Sequence, residues 1–306
     1  MPEIVSIGEC MVELSRQPDG RFQLAYGGDT FNTAAYAARL GVKAAYAMAL
    51  GDDPYSAAIL ALGAREGVDM SAIPQLRGRV PGLYVIETDG KGERTFTYWR
   101  DSAPARELFE RPEAERVVAA MAAARIVYFS GITLSLYSPT GLDRFEAALL
   151  AARSNGARIA FDGNYRPRGW KQDAARARAT FQRFLPLIDI ALPTFDDEQA
   201  LFGDATPMAT LARIKASGPR EIIVKSGAEG ALLAVGEDVS PVPVPEAVTP
   251  IDTTAAGDSF NAGYLSANLR GKPPAEAVLW GHRLAAIVIQ HRGAIVPREA
   301  TADLRL

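Results

Sequence analysis

Short apolar runs alternate with helix-period segments along almost the whole chain, and this alternation restricts the fold more than any other feature. Runs of strand length occupy 4–7, 44–50, 126–129, 158–161, 188–192, 222–225 and 231–235. Helix-period segments occupy 30–40, 54–66, 113–124, 142–154, 174–185 and 208–216. Several end at a glycine suited to a helix C-terminus: Gly41, Gly67, Gly156 and Gly218. Such alternation predicts an α/β protein with a parallel sheet covered by helices on both faces. Two regions depart from it. Residues 257–269 and 275–290 read as successive helices, and 81–100 reads as a hairpin around the turn Asp89-Gly90-Lys91-Gly92. A period of two puts Arg94, Phe96, Tyr98 and Arg100 on one face of that hairpin.

At 306 residues the chain can bury a large core, in one domain or two. A net charge of −3 argues against a nucleic-acid partner, which calls for a basic excess. The single Cys10 excludes an internal disulfide framework and reads as a packed small residue. No uncharged apolar run approaches membrane-spanning length, and no basic then apolar leader precedes the first strand. We therefore expect a cytoplasmic enzyme with no membrane partner.

The chemistry concentrates in Asp252-Thr253-Thr254-Ala255-Ala256-Gly257-Asp258-Ser259-Phe260-Asn261-Ala262-Gly263. Small residues lead to an acid that opens an apolar helix. A helix start exposes unpartnered N–H groups, which with the helix dipole favour an anion. Ala255, Ala256 and Gly257 let a phosphate approach the backbone. Asp258 beside that anion suits a base that takes a proton from an attacking hydroxyl, and phosphoryl transfer needs those two parts. The competing reading is an ordinary helix start capped by Asp252.

Other polar strings fall where strands end, the usual ligand edge of an open α/β sheet. In Gly27-Gly28-Asp29-Thr30-Phe31-Asn32 the glycines allow close approach, and Asp29 and Asn32 can bind hydroxyls. Asp162-Gly163-Asn164-Tyr165-Arg166 offers a guanidinium able to bridge a carboxylate and a phosphate. Thr194-Phe195-Asp196-Asp197-Glu198 is an acidic helix start, and Lys225-Ser226-Gly227-Ala228-Glu229-Gly230 is a glycine turn between strands. His282 and His291 have no ligand partners at metal spacing. The first strand lacks a following G-x-G-x-x-G, which counts against a dinucleotide oxidoreductase.

Taken in order, these strings resemble the ribokinase-like (PfkB) carbohydrate kinases from Ile4 to about Arg298. The D-T-T-A-A-G-D string, Pro81-Gly82-Leu83-Tyr84, Arg94-Thr95-Phe96-Thr97-Tyr98-Trp99-Arg100 and Arg292-Gly293-Ala294-Ile295-Val296-Pro297-Arg298 are most similar to the 2-keto-3-deoxygluconate kinase branch. The resemblance implies a single three-layer α/β/α domain with a β lid formed from about 9–27 and 79–101, and a homodimer or higher homo-oligomer formed through that lid. It implies ATP and Mg²⁺ as cofactors, and it leaves room for a monovalent cation. Asp258 becomes the base, with Ala255, Ala256, Gly257 and Arg166 around the transferred phosphate. Gly28, Asp29, Asn32, Tyr84, Tyr98, Arg100 and Arg166 fall to a sugar acid. Asn164, Arg166, Thr194, Lys225, Ser226, Gly227 and Gly230 fall to ATP. Asp197 or Glu198 holds the metal through water.

Ala255 stands where the family core has its first glycine, so it either keeps a negative φ or bears strain. An acid sugar needs a cation, and we expect Arg100 and Arg166 to be left poorly paired by a neutral one. A fructokinase or other neutral-sugar kinase shares nearly every motif. A non-catalytic sugar or nucleotide sensor would be expected to have lost Asp258.

Overall fold

The computed structural model describes residues 1–88 and 94–306, so the expected turn at Asp89-Gly90-Lys91-Gly92 lies outside the described residues. An eight-stranded sheet runs in the order Asp238–Val242, Ala231–Val235, Glu221–Lys225, Ile190–Ala191, Arg158–Asp162, Ile126–Ser130, Ile4–Ile7, Ala44–Ala47. The strands from Glu221–Lys225 to Ala44–Ala47 are parallel. The first two, Asp238–Val242 and Ala231–Val235, are antiparallel. Asp238–Val242 has no counterpart in the apolar pattern. It is an edge strand with Pro241 and mostly exposed positions, so burial wrote no signal into it.

Alternate side chains of each central strand enter opposite cores. Val5, Ile7, Val127 and Phe129 pack with the helices Pro139–Ser154 and Ala174–Phe184. Ile4, Ile126 and Tyr128 pack with Asp29–Arg39, Ala256–Leu269 and Pro274–Val288. These are the three layers expected from strands buried on both faces. The last two helices touch backbone to backbone. A Cβ on Gly263 would meet the Trp280 carbonyl oxygen at 2.6 Å, and one on Gly281 would meet the Phe260 ring at 2.8 Å. Among the described residues no helix is long and apolar enough to cross a membrane.

A separate four-stranded sheet contains Phe22–Gly27, Met11–Arg16, Leu83–Thr88 and Arg94–Trp99. The expected hairpin is present, with Tyr84 opposite Tyr98 and Ile86 opposite Phe96. Strand alternation gives this sheet two distinct faces. Glu13, Tyr84 and Tyr98 share one, and the Tyr84 and Tyr98 ring centroids are 5.7 Å apart. Leu24, Leu14 and Val85 share the other with Phe22 and Trp99. On that second face Phe22, Leu24 and Trp99 are 50%, 48% and 58% exposed.

Candidate active site

The helix Ala256–Leu269 begins without any side-chain cap, from Ala255 in the left-handed region at φ 61°. The strained alternative is thus the one adopted. A left-handed alanine costs roughly 1–2 kcal/mol, and the turn aims the following N–H groups outward. Ala256 does not contribute to the anion hole as expected. Its N–H donates to the Thr253 carbonyl at 3.2 Å, closing the turn. The N–H groups of Gly257 and Asp258 have no acceptor among the described residues.

Asp258 is held from the neighbouring helix. Asn32 Nδ2 donates to its Oδ2 at 2.8 Å, and Thr33 Oγ1 donates to its carbonyl at 3.1 Å. Burial pushes the Asp258 carboxyl up to about 7, the nearby Asp29 charge adds to this, and the Asn32 bond opposes it. Asp29 is itself raised by burial and accepts from Asn164 Nδ2 at 2.7 Å. Asn32 Oδ1 is buried with no partner among the described residues, a spare acceptor beside the carboxylates.

A second polar layer lies beneath. Lys225 does not extend along the Ser226–Gly230 turn. Its Nζ turns inward to Asp162 Oδ2 at 2.9 Å and Asn261 Oδ1 at 3.0 Å. Asn261 Nδ2 donates to Asp162 at 2.7 Å and to Tyr128 Oη at 3.0 Å. The ammonium lies 3.6 Å from where a Gly257 Cβ would be, directly under the helix start. Ser226, Gly227 and Gly230 form a tight turn at the sheet edge, with Ser226 N–H donating to the Gly230 carbonyl at 2.8 Å.

Beside these groups a cavity of about 220 Å³ is lined by Gly28, Asp29, Tyr98, Arg100 and Arg166, as expected, and also by Glu9 and Arg106. Gly28 is required by the fold as well as by any ligand, because a Cβ there would meet the Glu9 carbonyl oxygen at 1.9 Å. The expectation that Arg100 and Arg166 lack partners without an acidic ligand fails. Arg100 pairs with the buried Glu9, and Arg166 lies 2.7 Å from Asp197. Tyr84 donates its hydroxyl to Glu13. The side chain of Arg94 lies outside the described residues.

Of the two metal candidates, Glu198 is committed elsewhere. It is buried, 2.7 Å from Arg213, and pressed against Gly163, where a Cβ would meet its Oε1 at 2.2 Å. Burial drives its carboxyl up to about 7 against the pull of Arg213. Asp197 faces the site with a carboxyl raised by burial, in spite of Arg166. Thr194 precedes its helix without capping it. Among the described residues no group of three or more His, Cys, Asp or Glu could hold a metal.

Glu9, Arg106 and Tyr128 carried no signal in the sequence patterns, and Asp162 and Asn261 were visible only as members of strings. A buried Asp and Lys at the ends of parallel strands was the available hint for the lower layer.

Residues 1–301 match the profile described as pfkB family carbohydrate kinase. The chain is 42% identical to the 2-dehydro-3-deoxygluconokinase of Escherichia coli (strain K12), covering 97% of this chain and 98% of that protein. It is 38% identical to the enzyme of the same name from Haemophilus influenzae, covering 100% and 99%. The fold superposes on a Vibrio cholerae O395 fructokinase solved with fructose, ADP and a calcium ion. The TM-score is 0.82 at 24% identity, with 96% and 94% of the two chains covered.

The left-handed Ala255 yields a stability prediction. Ala255→Gly should remove most of the strain and stabilise the fold by about 1 kcal/mol, less the extra entropy of an unfolded glycine. Urea denaturation measures it. A destabilised variant would show that Ala255 is relaxed at this φ.

Proposed function

The chain belongs to the pfkB family of carbohydrate kinases, and we propose that it phosphorylates 2-keto-3-deoxygluconate (2-dehydro-3-deoxygluconate) at its terminal hydroxyl, using ATP. One observation carries the chemistry: a carboxylate raised toward neutrality, Asp258, stands at an uncapped helix start with open N–H groups. Full-length similarity to two enzymes named for this substrate supports the choice of sugar.

Asp258 takes the proton of the hydroxyl as its oxygen bonds to the γ-phosphorus and the bond to the ADP oxygen breaks. Asn32 orients the base through a 2.8 Å bond. The N–H groups of Gly257 and Asp258 hold the shifting charge, with the Lys225 ammonium behind them. Gly28 and Asp29 meet the sugar hydroxyls, while Tyr84, Tyr98 and Arg100 close over the sugar acid. Asn164, Thr194, Ser226, Gly227 and Gly230 hold ATP, and Arg166 reaches its phosphates. Asp197 is the residue for Mg²⁺, which when bound neutralises phosphate charge. The four-stranded sheet acts as a lid, and its exposed Phe22, Leu24 and Trp99 face pairs two copies.

Three outcomes are expected. Asp258→Asn should lower kcat by roughly 10²–10⁴-fold with little change in sugar KM. A loss below tenfold would remove Asp258 as the base. Because the base works deprotonated, kcat/KM of the native enzyme should fall as pH drops through about 7. An acid limb below pH 5 would contradict the raised carboxyl. The native Asp258 binds a proton that the unfolded chain has lost between about pH 4 and 7, so its burial costs stability above that window. Asp258→Asn should therefore melt higher than the native protein at pH 8.

Substrate choice is read from ADP release over 2-keto-3-deoxygluconate, its C4 epimer, fructose, ribose and gluconate. Turnover confined to the keto-deoxy acids is expected, and preference for fructose or ribose would discard the sugar-acid assignment. Sedimentation should give a dimer, which Leu24→Glu converts to monomer. A native monomer at micromolar concentration would end the pairing proposal.

A further inference from the structure

The basic side chains around the cavity are Arg100, Arg106, Arg166, Arg168 and Lys171, and they do not offer equal charge. Arg100 is paired with Glu9, a carboxylate only 2% exposed. Arg166 is paired with Asp197. Arg168 donates to the Phe96 carbonyl, and both Arg168 and Lys171 lie exposed to water that screens them. Arg106 differs from all of them. It is half-buried, and among the described residues no carboxylate lies within ion-pair distance of it.

Its surroundings sharpen the contrast. Burial lowers the Arg106 guanidinium from its ordinary range, and Arg100 lowers it further, with only partial relief from Glu9 and Asp101. A guanidinium does not escape this by losing its proton. A half-buried cation without a counter-ion is costly, and an anionic ligand removes that cost. The stem is well placed for such a ligand. Arg106 sits in the short helical segment Pro104–Glu110, between buried Ala105 and Leu108, with its N–H bonded to the Ala103 carbonyl at 3.1 Å.

We infer that Arg106 determines selection of an acidic sugar, its guanidinium supplying the uncompensated charge that holds the substrate carboxylate, while Glu9 offsets the charge of Arg100 and orients it as a hydrogen-bond donor. This rests on the sugar-acid kinase reading above. It reassigns the discriminating charge from the hairpin to the segment that follows it.

Steady-state kinetics on the full-length enzyme test it, with 2-keto-3-deoxygluconate and fructose as paired substrates. Arg106→Gln should raise KM for the acid by about 10- to 100-fold, the range of a lost charge-assisted bond. Its kcat and its KM for ATP should stay near native, the pattern of lost uniform binding. Arg106→Lys keeps the charge and should stay within about fivefold of native. Glu9→Gln added to Arg106→Gln should recover part of the loss, because it frees the charge of Arg100. Unchanged acid KM in Arg106→Gln, with the native enzyme still preferring the acid, would overturn this inference alone. Equal losses for acid, fructose and ATP would also overturn it, by making Arg106 structural. Should Arg106→Gln not fold, a rise in Arg106→Lys as large as 30-fold would still defeat the charge argument. A native enzyme that prefers fructose would overturn this inference together with the reading beneath it.

Discussion

The ion pair between Lys225 and Asp162 organises the rest of the site. Both side chains are almost wholly removed from water, at 7% and 3% exposure. Such a pair contributes little net stability, because desolvation offsets much of the attraction. Losing one partner, in contrast, strands the other. The pair therefore acts mainly on position. Asp162 and Lys225 come from the carboxyl ends of two strands, and Asn261 from the second turn of the helix Ala256–Leu269. The triangle fixes the start of that helix against the sheet edge. It also sets the ammonium end of the pair beneath the helix start, 3.6 Å from where a Gly257 Cβ would be.

Around that anchor the chain tolerates several unfavourable choices in a small volume. Ala255 occupies a glycine conformation, the helix start is uncapped, and Asp29 and Asp258 repel one another. Among the described residues, buried acceptors on Asn32 and Glu9 have no partner. Some other helices of the same chain follow the ordinary rules. The helix Pro54–Glu66 has an Asp53 cap, a proline in its first turn and a left-handed Gly67 at its end. A sequence that caps one helix so fully leaves another open beside Asp258, and several such departures in one small volume point to a site of function.

How much of this was legible depends on what each residue answers to. Strands buried on both faces and helices ending at glycine follow local rules, so they could be read directly. The Asp258 string could be read too, because a phosphate site made of backbone needs small residues in a row. Glu9 and Arg106 answer to neighbours far along the chain. Glu9 meets Arg100 across 91 positions, and neither periodicity nor spacing foretells it. Arg106 lies in a short helical segment that seven-residue patterns cannot resolve. Lys225 misled in a different way. Its position next to a glycine turn suggests a loop lysine, but as the last residue of a buried strand its side chain points into the molecule.

These contrasts divide the labour between the two sheets. The large sheet and its last two helices hold the acid, the open N–H groups and the buried lysine, and the Gly263 and Gly281 contact leaves those helices little freedom to shift. In the proposed reaction that frame meets only the attacking hydroxyl and the phosphate, so it does not choose the sugar. The small sheet and the segment after it bring the groups that differ: Tyr98, Arg100 with Glu9, and Arg106. A carboxylate is recognised by charge that the protein has not already neutralised. If Arg106 carries the selection, discrimination between acid and neutral sugars follows from which cations are left without acidic partners, and not from how many line the cavity.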